Sequence, residues 1–492
     1  MPEAFDIVII GAGPGGYATA LRAAELGRSV ALVERDATLG GTCLNRGCIP
    51  SKALLDAAHA IDGARRAAGC GVGVRFEGID YGALREHRRR AVGTMVQGLA
   101  ALVAHRGITV FRGEAALAAD RTVHVAPSPG LGAVERYVRA EVAEPAGPGV
   151  DLTAGDVVLA TGSRPRPLPG EPFRGALIDS TQALEQDVFP ASAVIVGSGA
   201  VALEFASLWN RAGCRTTLLI RRDRVLSGWD RRTAAALTRE LRRAGVEIVT
   251  RSHVVAVETG ENLGANVRYT RDGDEAEHTA SAQLVLAAVG RDPVTDAGWI
   301  RDAGVEVDDR GFVAVDAFGR TSAPGVWAVG DITAGHALAH RAFGQGIVVA
   351  ESIAGLAPRP VDEASVPRIV FSLPQAAAVG LTLEQARARD DVAEAHETVY
   401  PMMGNARMQM SGQAGSLTVV SGAMADRPDV ELVLGVHMVA PDASDLIAEA
   451  QQLVGNRVPL SDAARLIHPH PTFSEVLGEA LLKADGRPLH TR

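Results

Sequence analysis

A glycine pattern that occurs twice, each time between a strand-like run and a helix-like run, restricts this chain more than any other feature. The first copy, Gly11-x-Gly13-x-x-Gly16, follows the apolar run Ile7 to Ile10 and precedes an Ala/Leu-rich stretch. The first glycine permits a tight turn, the second lets backbone approach a pyrophosphate, and the third lets helix pack on strand. The helix that opens there faces the phosphates with its N-terminus. Glu34 closes the next run, Val30 to Glu34, where a carboxylate can accept from both ribose hydroxyls of an adenosine that lacks a 2'-phosphate. The second copy, Gly197-x-Gly199 with Ala202 in third place, follows Ala193 to Val196 and leads through a helix to Thr216 to Ile220. Two such units predict two nucleotide sites and an α/β fold with two Rossmann-like dinucleotide-binding domains.

The copies differ where the adenosine ribose would lie. After Ile220 comes Arg221-Arg222-Asp223-Arg224 instead of a carboxylate. Losing the acid removes repulsion toward a 2'-phosphate, and guanidinium groups suit one through bidentate, charge-assisted contacts. Arg221, Arg222 and Arg224 therefore point to NADP(H) over NAD(H); the competing reading is a solvated basic turn.

Just downstream of the first copy, residues 40 to 52 read GGTCLNRGCIPSK. Two cysteines in this spacing, Cys43 and Cys48, can lie one helical turn apart and close a small disulfide ring. Such a pair can take electrons from a neighbouring cofactor and release them by thiol-disulfide exchange. Zinc is the rival, but it normally takes four ligands and no second Cys or His cluster stands nearby, so no metal site is expected. Thiol exchange also needs a base and an acid, which imidazole supplies near neutral pH. The segment HPHPTFSE offers His468 and His470, with Glu475 able to orient a ring.

Composition bounds the rest. At 492 residues, 47% of them hydrophobic, the chain is too long for one ordinary core and should form three or so domains. A net charge of -9 without a long basic run disfavours nucleic acid and anionic membranes as partners. No apolar stretch reaches the roughly 18 residues that span a bilayer. The start, Met1-Pro2-Glu3-Ala4, lacks the basic and apolar parts of a secretion signal, so the expected location is cytoplasmic. Four cysteines in a reducing compartment suit redox or metal chemistry better than a disulfide scaffold. Cys70 and Cys214 stand alone and are read as structural. Glu141 to Val150 reads as a surface loop and Pro358 to Pro367 as a linker, with a strand at Glu431 to Val439 and helices at Ser444 to Val454 and Val476 to Lys483 beyond it.

With GGTCLNRGCIPSK, ATGS (Ala160 to Ser163), AVGD ending at Asp331, and HPHPTFSE in this order, the chain resembles the pyridine nucleotide-disulfide oxidoreductases from end to end. By CIPSKALL and the length of its last domain it is most similar to the dihydrolipoyl dehydrogenases. The resemblance implies an FAD-binding domain at 1–155, an NAD(P)-binding domain at 156–284, a central part completing the FAD domain at 285–360, and a C-terminal α+β dimerisation domain at 361–492. It implies a homodimer in which His470 and Glu475 complete the partner subunit's site. Cys43 becomes the interchange thiol and Cys48 the thiol that contacts flavin in a charge-transfer pair. Lys52 lies near the flavin ring with Glu204 as its matched partner. Thr161, Gly162, Asp331 and Ala339 belong to the FAD site, Asp331 on the ribityl chain, while Arg291 lies on the nicotinamide side. The motif selects His470 over His468. Because no cysteine follows Cys214, relatives that need a C-terminal thiol pair are excluded. The implied substrate is a lipoamide-type dithiol or a lipoyl-carrying protein. The arginine turn, similar to that of glutathione reductase, keeps open an NADPH-dependent reductase of another small disulfide.

Overall fold

Ile7 to Ile10 and Val30 to Val33 are buried throughout, as the middle strands of a sheet covered on both faces must be. A computed structural model describes residues 2–138, 141–142, 146–260 and 264–491. Of the expected loop Glu141 to Val150, residues 143–145 lie outside the described residues, and Val150 opens a strand. The chain forms two compact units.

The first unit takes the described parts of Met1–Ala53, Arg85–Pro165 and Arg291–Glu363. Its core is a parallel sheet in the order Thr109–Arg112, Val30–Glu34, Glu3–Ile10, Val150–Leu159, Val326–Ala328. Ile10 sits between Val33 and Leu159, so the chain leaves the sheet at Gly11 beside Ala160. Gly11 has φ 104°, and a Cβ there would lie 2.4 Å from the Ala160 oxygen, so only glycine fits. A Cβ on Gly16 would lie 1.8 Å from the Gly11 oxygen, which is how helix Pro14–Glu25 seats closely on the sheet. The thiol segment follows as two helices, Gly41–Arg46 and Cys48–Ala67.

The second unit takes Leu54–Leu84, Arg166–Gly290 and Ala364–Arg492, again in their described parts. It holds a second parallel sheet, ordered Leu177–Ile178, Leu284–Ala287, Ser192–Val196, Arg215–Leu219, Glu247–Val249. An antiparallel three-stranded sheet follows. The last part is a five-stranded antiparallel sheet, Arg368–Val370, Gln375–Gly380, Arg427–Ala440, Ser416–Met424, Val392–Pro401. Helices Ala443–Gly455 and Glu475–Ala484 pack on it through Ile447, Leu453, Val476 and Leu481, matching the expected helices to within a residue or two. Cys214 is buried in the core of this unit, but Cys70 is exposed on a short 3-10 turn and fills no core space, correcting the structural reading of that residue. Among the described residues no helix is long and apolar enough to cross a membrane.

Candidate active site

The first glycine turn is shaped for a pyrophosphate. Helix Pro14–Glu25 has Gly13 as its N-cap and no side chain capping it, so its first amides remain available to an anion. A Cβ on Gly13 would meet only the Gly41 Cα, at 4.0 Å, leaving a cradle that any side chain would fill. Glu34 is buried and accepts from the amides of Ala12 at 2.8 Å and Asp36 at 2.9 Å. Burial pushes its carboxyl up, and the two amides oppose this. These residues fit the adenosine and phosphates of FAD.

Cys43 lies in the first of the two thiol helices, and Cys48 opens the second, where the helix dipole favours a thiolate. Both are half-buried free thiols. Their side chains hydrogen-bond, and this, with burial and the charge of Cys48, pushes the Cys43 thiol well above the usual range; Lys52 pulls it down and Asp331 pushes it up. Cys43, Cys48, Lys52 and Asp331 are thus one electrostatic cluster, although Asp331 comes from a segment far along the chain. Tyr17, on the first helix, belongs to the same cluster. Its hydroxyl is pushed up to about 12 by burial first and then by the two cysteines, and its ring leans on Phe343 at 5.6 Å.

Asp331 is aimed by a relay. Ser163 donates from Oγ to Asp331 at 2.5 Å and accepts from Arg291 Nε at 2.7 Å, while Arg291 Nη2 donates to the Ser163 carbonyl at 2.6 Å. Beside it, Thr161 donates to the Val294 carbonyl at 2.8 Å, and Gly162, at φ 73°, accepts from the Val294 amide. Gln345 accepts the Gly330 amide at 2.9 Å, and the buried Arg341 donates to Glu363 and to the Ala334 carbonyl, bracing the loop next to Asp331. Ala339 begins helix Ala339–Ile353, whose N-terminus also lacks a side-chain cap.

In the second unit, Gly197 has φ 140° and a Cβ there would lie 2.2 Å from the Ala288 oxygen, while Gly199 faces open space and caps helix Ala200–Arg211 without a side-chain bond. Ala202 is fully buried in that helix, so its methyl takes the packing place of the third glycine. Arg221 and Arg222 are exposed just beyond strand Arg215–Leu219. Glu204, on the same helix as Ala202, is buried and accepts the Phe371 amide at 3.1 Å.

His470 and Glu475 form a pair in the last domain, Nδ1 to Oε1 at 2.7 Å, with the ring largely exposed. Burial would raise the Glu475 carboxyl, but the Thr472 amide and His470 together hold it below the usual range. His468 is different. Its Nε2 meets Glu449 at 2.9 Å, and its ring packs where a Cβ on Gly478 would sit, leaving it mostly covered. Among the described residues no group of three or more His, Cys, Asp or Glu is placed to hold a metal ion.

Tyr17, Gln345 and Arg341 were not singled out from the sequence. Ser163 lay inside a quoted motif, yet its bond to Asp331 spans 168 positions, a distance no local pattern reveals.

The model for the pyridine nucleotide-disulphide oxidoreductases matches residues 5–346, and that for their dimerisation domain matches 366–481. A Pseudomonas aeruginosa protein, dihydrolipoyl dehydrogenase 3, is 36% identical over 492 residues, covering 99% of this chain and 100% of its own. Among solved structures, LpdA from Mycobacterium tuberculosis superposes with a TM-score of 0.83 at 26% identity, covering 98% of this chain and 99% of its own. The flavoprotein disulfide reductase RclA from Escherichia coli does so at 0.80 and 26%, with the same coverage. The chain therefore belongs to the pyridine nucleotide-disulphide oxidoreductase family and is one of its flavin-dependent disulfide oxidoreductases.

Proposed function

We propose that this enzyme is dihydrolipoyl dehydrogenase-like, moving two electrons between a lipoyl-type dithiol and a nicotinamide nucleotide through the Cys43 and Cys48 pair. The observation that carries the reading is the single cluster of Cys43, Cys48, Lys52 and Asp331 beside a glycine turn that fits FAD.

In the oxidising direction, one sulfur of the dithiol attacks Cys43 of the oxidised pair, forming a mixed disulfide and releasing Cys48 as thiolate. The second substrate sulfur then attacks the first, closing the product disulfide and releasing Cys43. His470 takes the proton from the attacking thiol and returns it to the leaving sulfur, and Glu475 keeps the ring turned for this. In the reverse direction Cys43 is itself the attacking thiol; its bond to Cys48 and its burial push its pKa up, and His470 is the base that takes its proton. Bound FAD supplies the two-electron step between the reduced thiol pair and the nicotinamide. Glu34 and the Gly11 to Gly16 turn would hold its adenosine diphosphate, Asp331 its ribityl chain, and the uncapped end of helix Ala339–Ile353 its ring edge.

The matched dimerisation domain supports a homodimer, with His470 serving the partner subunit's thiols. On the nucleotide side, Arg221 and Arg222 in place of a carboxylate favour NADP(H), and Arg291 orders the approach to the ring. A cytoplasmic location belongs to the same reading.

The test is steady-state turnover of the purified yellow protein with NADH or NADPH as donor and lipoamide or glutathione disulfide as acceptor. Turnover with lipoamide is the expected result. Robust turnover with glutathione disulfide and none with lipoamide would reassign the enzyme to another small disulfide.

A further inference from the structure

The basic turn after Ile220 does not act as one group. Arg224 is engaged inside it: Nη2 donates to the Ser227 carbonyl at 3.2 Å, and Nη1 faces Asp223 at 3.4 Å. Arg221 and Arg222 are exposed, and among the described residues neither has an acidic partner.

A third arginine joins these two from the neighbouring strand. Strand Glu247–Val249 runs parallel to Arg215–Leu219, and the chain turns back at Arg251, which has φ 54°, a conformation uncommon for a residue other than glycine. Three hydrogen bonds of 3.0 Å hold that turn: the Arg251 amide donates to the Arg222 carbonyl, the Asp272 amide to the Arg251 carbonyl, and the Ser252 amide to the Ile220 carbonyl. Arg251 is thereby anchored beside Arg222 and is exposed. Asp272, bonded to it through the backbone, turns its carboxylate to His253 at 2.8 Å. Both local acids thus have other partners, Asp223 facing Arg224 and Asp272 meeting His253. Arg221, Arg222 and Arg251 are left as an unneutralised cluster at the end of the sheet where a nucleotide ribose belongs. Like charges this close repel one another, and a dianion with three acceptor oxygens relieves that repulsion while taking charge-assisted hydrogen bonds.

We propose that Arg251, together with Arg221 and Arg222, forms the subsite for the 2'-phosphate of the nucleotide, and that Arg224 braces the turn instead of touching the ligand. This rests on the NADP(H) reading above. Arg251 is a specificity residue outside the run that sequence reasoning selects, since the turn that brings it there joins strands on the far side of a helix.

The experiment is titration of the FAD-loaded protein with 2',5'-ADP and with 5'-AMP by calorimetry, for the natural sequence and for Arg251→Gln, Arg251→Lys and Arg224→Gln. The natural protein should bind 2',5'-ADP more tightly. Arg251→Gln should weaken 2',5'-ADP by about tenfold, the size of one charge-assisted hydrogen bond, and leave 5'-AMP unchanged, while Arg251→Lys recovers most of the preference. Arg224→Gln should keep the ratio of the two affinities. If the natural protein prefers 2',5'-ADP and Arg251→Gln retains that preference in full, the Arg251 assignment is overturned while the NADP(H) reading stands. If the natural protein shows no preference, the NADP(H) reading fails and the subsite with it. A loss of the ratio in Arg224→Gln equal to that in Arg251→Gln would overturn the bracing role.

Discussion

Glu475 holds His470 with one carboxylate oxygen and the Thr472 amide with the other: Oε1 lies 2.7 Å from the ring Nδ1, and Oε2 accepts the amide at 2.8 Å. Nε2 of a ring held this way faces outward, ready for a thiol. Replacing His470 by Gln should lower disulfide turnover by about 10²–10⁴-fold, the usual range for a lost acid/base. Glu475→Gln should cost less, because the ring remains and loses only its orientation. Stopped-flow reduction of the flavin by the nicotinamide should be unchanged in both, which separates the thiol half-reaction from the hydride half-reaction. Slowed flavin reduction in either variant would contradict the assignment.

The glycines of the first turn make different demands, and two substitutions separate them. Gly16→Ala places a methyl 1.8 Å from the Gly11 oxygen, so both the fold and flavin content should suffer. Gly13→Ala meets only a Cα at 4.0 Å. Its apoprotein should melt within a degree or two of the natural one, yet bind FAD more weakly by on the order of tenfold or more, because its methyl stands where the pyrophosphate must approach. Equal FAD affinity in Gly13→Ala would remove the cofactor from this turn.

Ser163 is the middle of the relay from Arg291 to Asp331. Ser163→Ala removes the Ser163 donor from the carboxylate beside a half-buried thiol pair. FAD affinity should fall several-fold with little change in melting temperature, a loss of about one hydrogen bond. Equilibrium dialysis of FAD checks this, and an unchanged affinity would give Asp331 a different role.

Two histidines of the last domain pull stability in opposite directions with pH. His437 is fully buried and donates from Nε2 to the Leu381 carbonyl, while its Nδ1 has no partner. Burial holds its pKa below the ordinary value, opposed by Leu381 and by the charges of Asp230 and Glu397, with Arg368 adding to the depression. The unfolded chain takes up a proton near pH 6.5 that the folded chain refuses, so stability falls as pH drops below that value, by up to about 1.4 kcal/mol per pH unit. His468 is raised by its bond to Glu449. Its contribution is complete below the unfolded value and is lost as pH rises through the folded one. Thermal melts of His437→Gln between pH 5 and 7 should show a shallower loss on the acid side than the natural protein; an identical slope would mean that His437 is protonated in the fold.

Much of this architecture can be read in the chain because its chemistry is local. Gly11 to Gly16, Glu34 and the pair Cys43 and Cys48 lie within a few dozen residues, and each has a reason to be the residue it is. The helix at Ala443–Gly455 was legible from its apolar spacing. What escaped is long-range. Tyr17 carries no motif, and only the fold sets it against Phe343 and the thiols. Arg224 looked equivalent to Arg221 and Arg222 in the run, but its side chain folds back onto Ser227. Cys70 shared the solitude of Cys214, and only exposure tells the two apart.

The most direct measurement is lipoamide turnover by Cys43→Ser purified with its flavin. The variant should retain a full complement of FAD and still be reduced by the nicotinamide, yet turn over no disulfide, because the sulfur that meets the substrate is gone. Disulfide reduction at the natural rate would show that the electrons leave by a route other than the Cys43 and Cys48 pair.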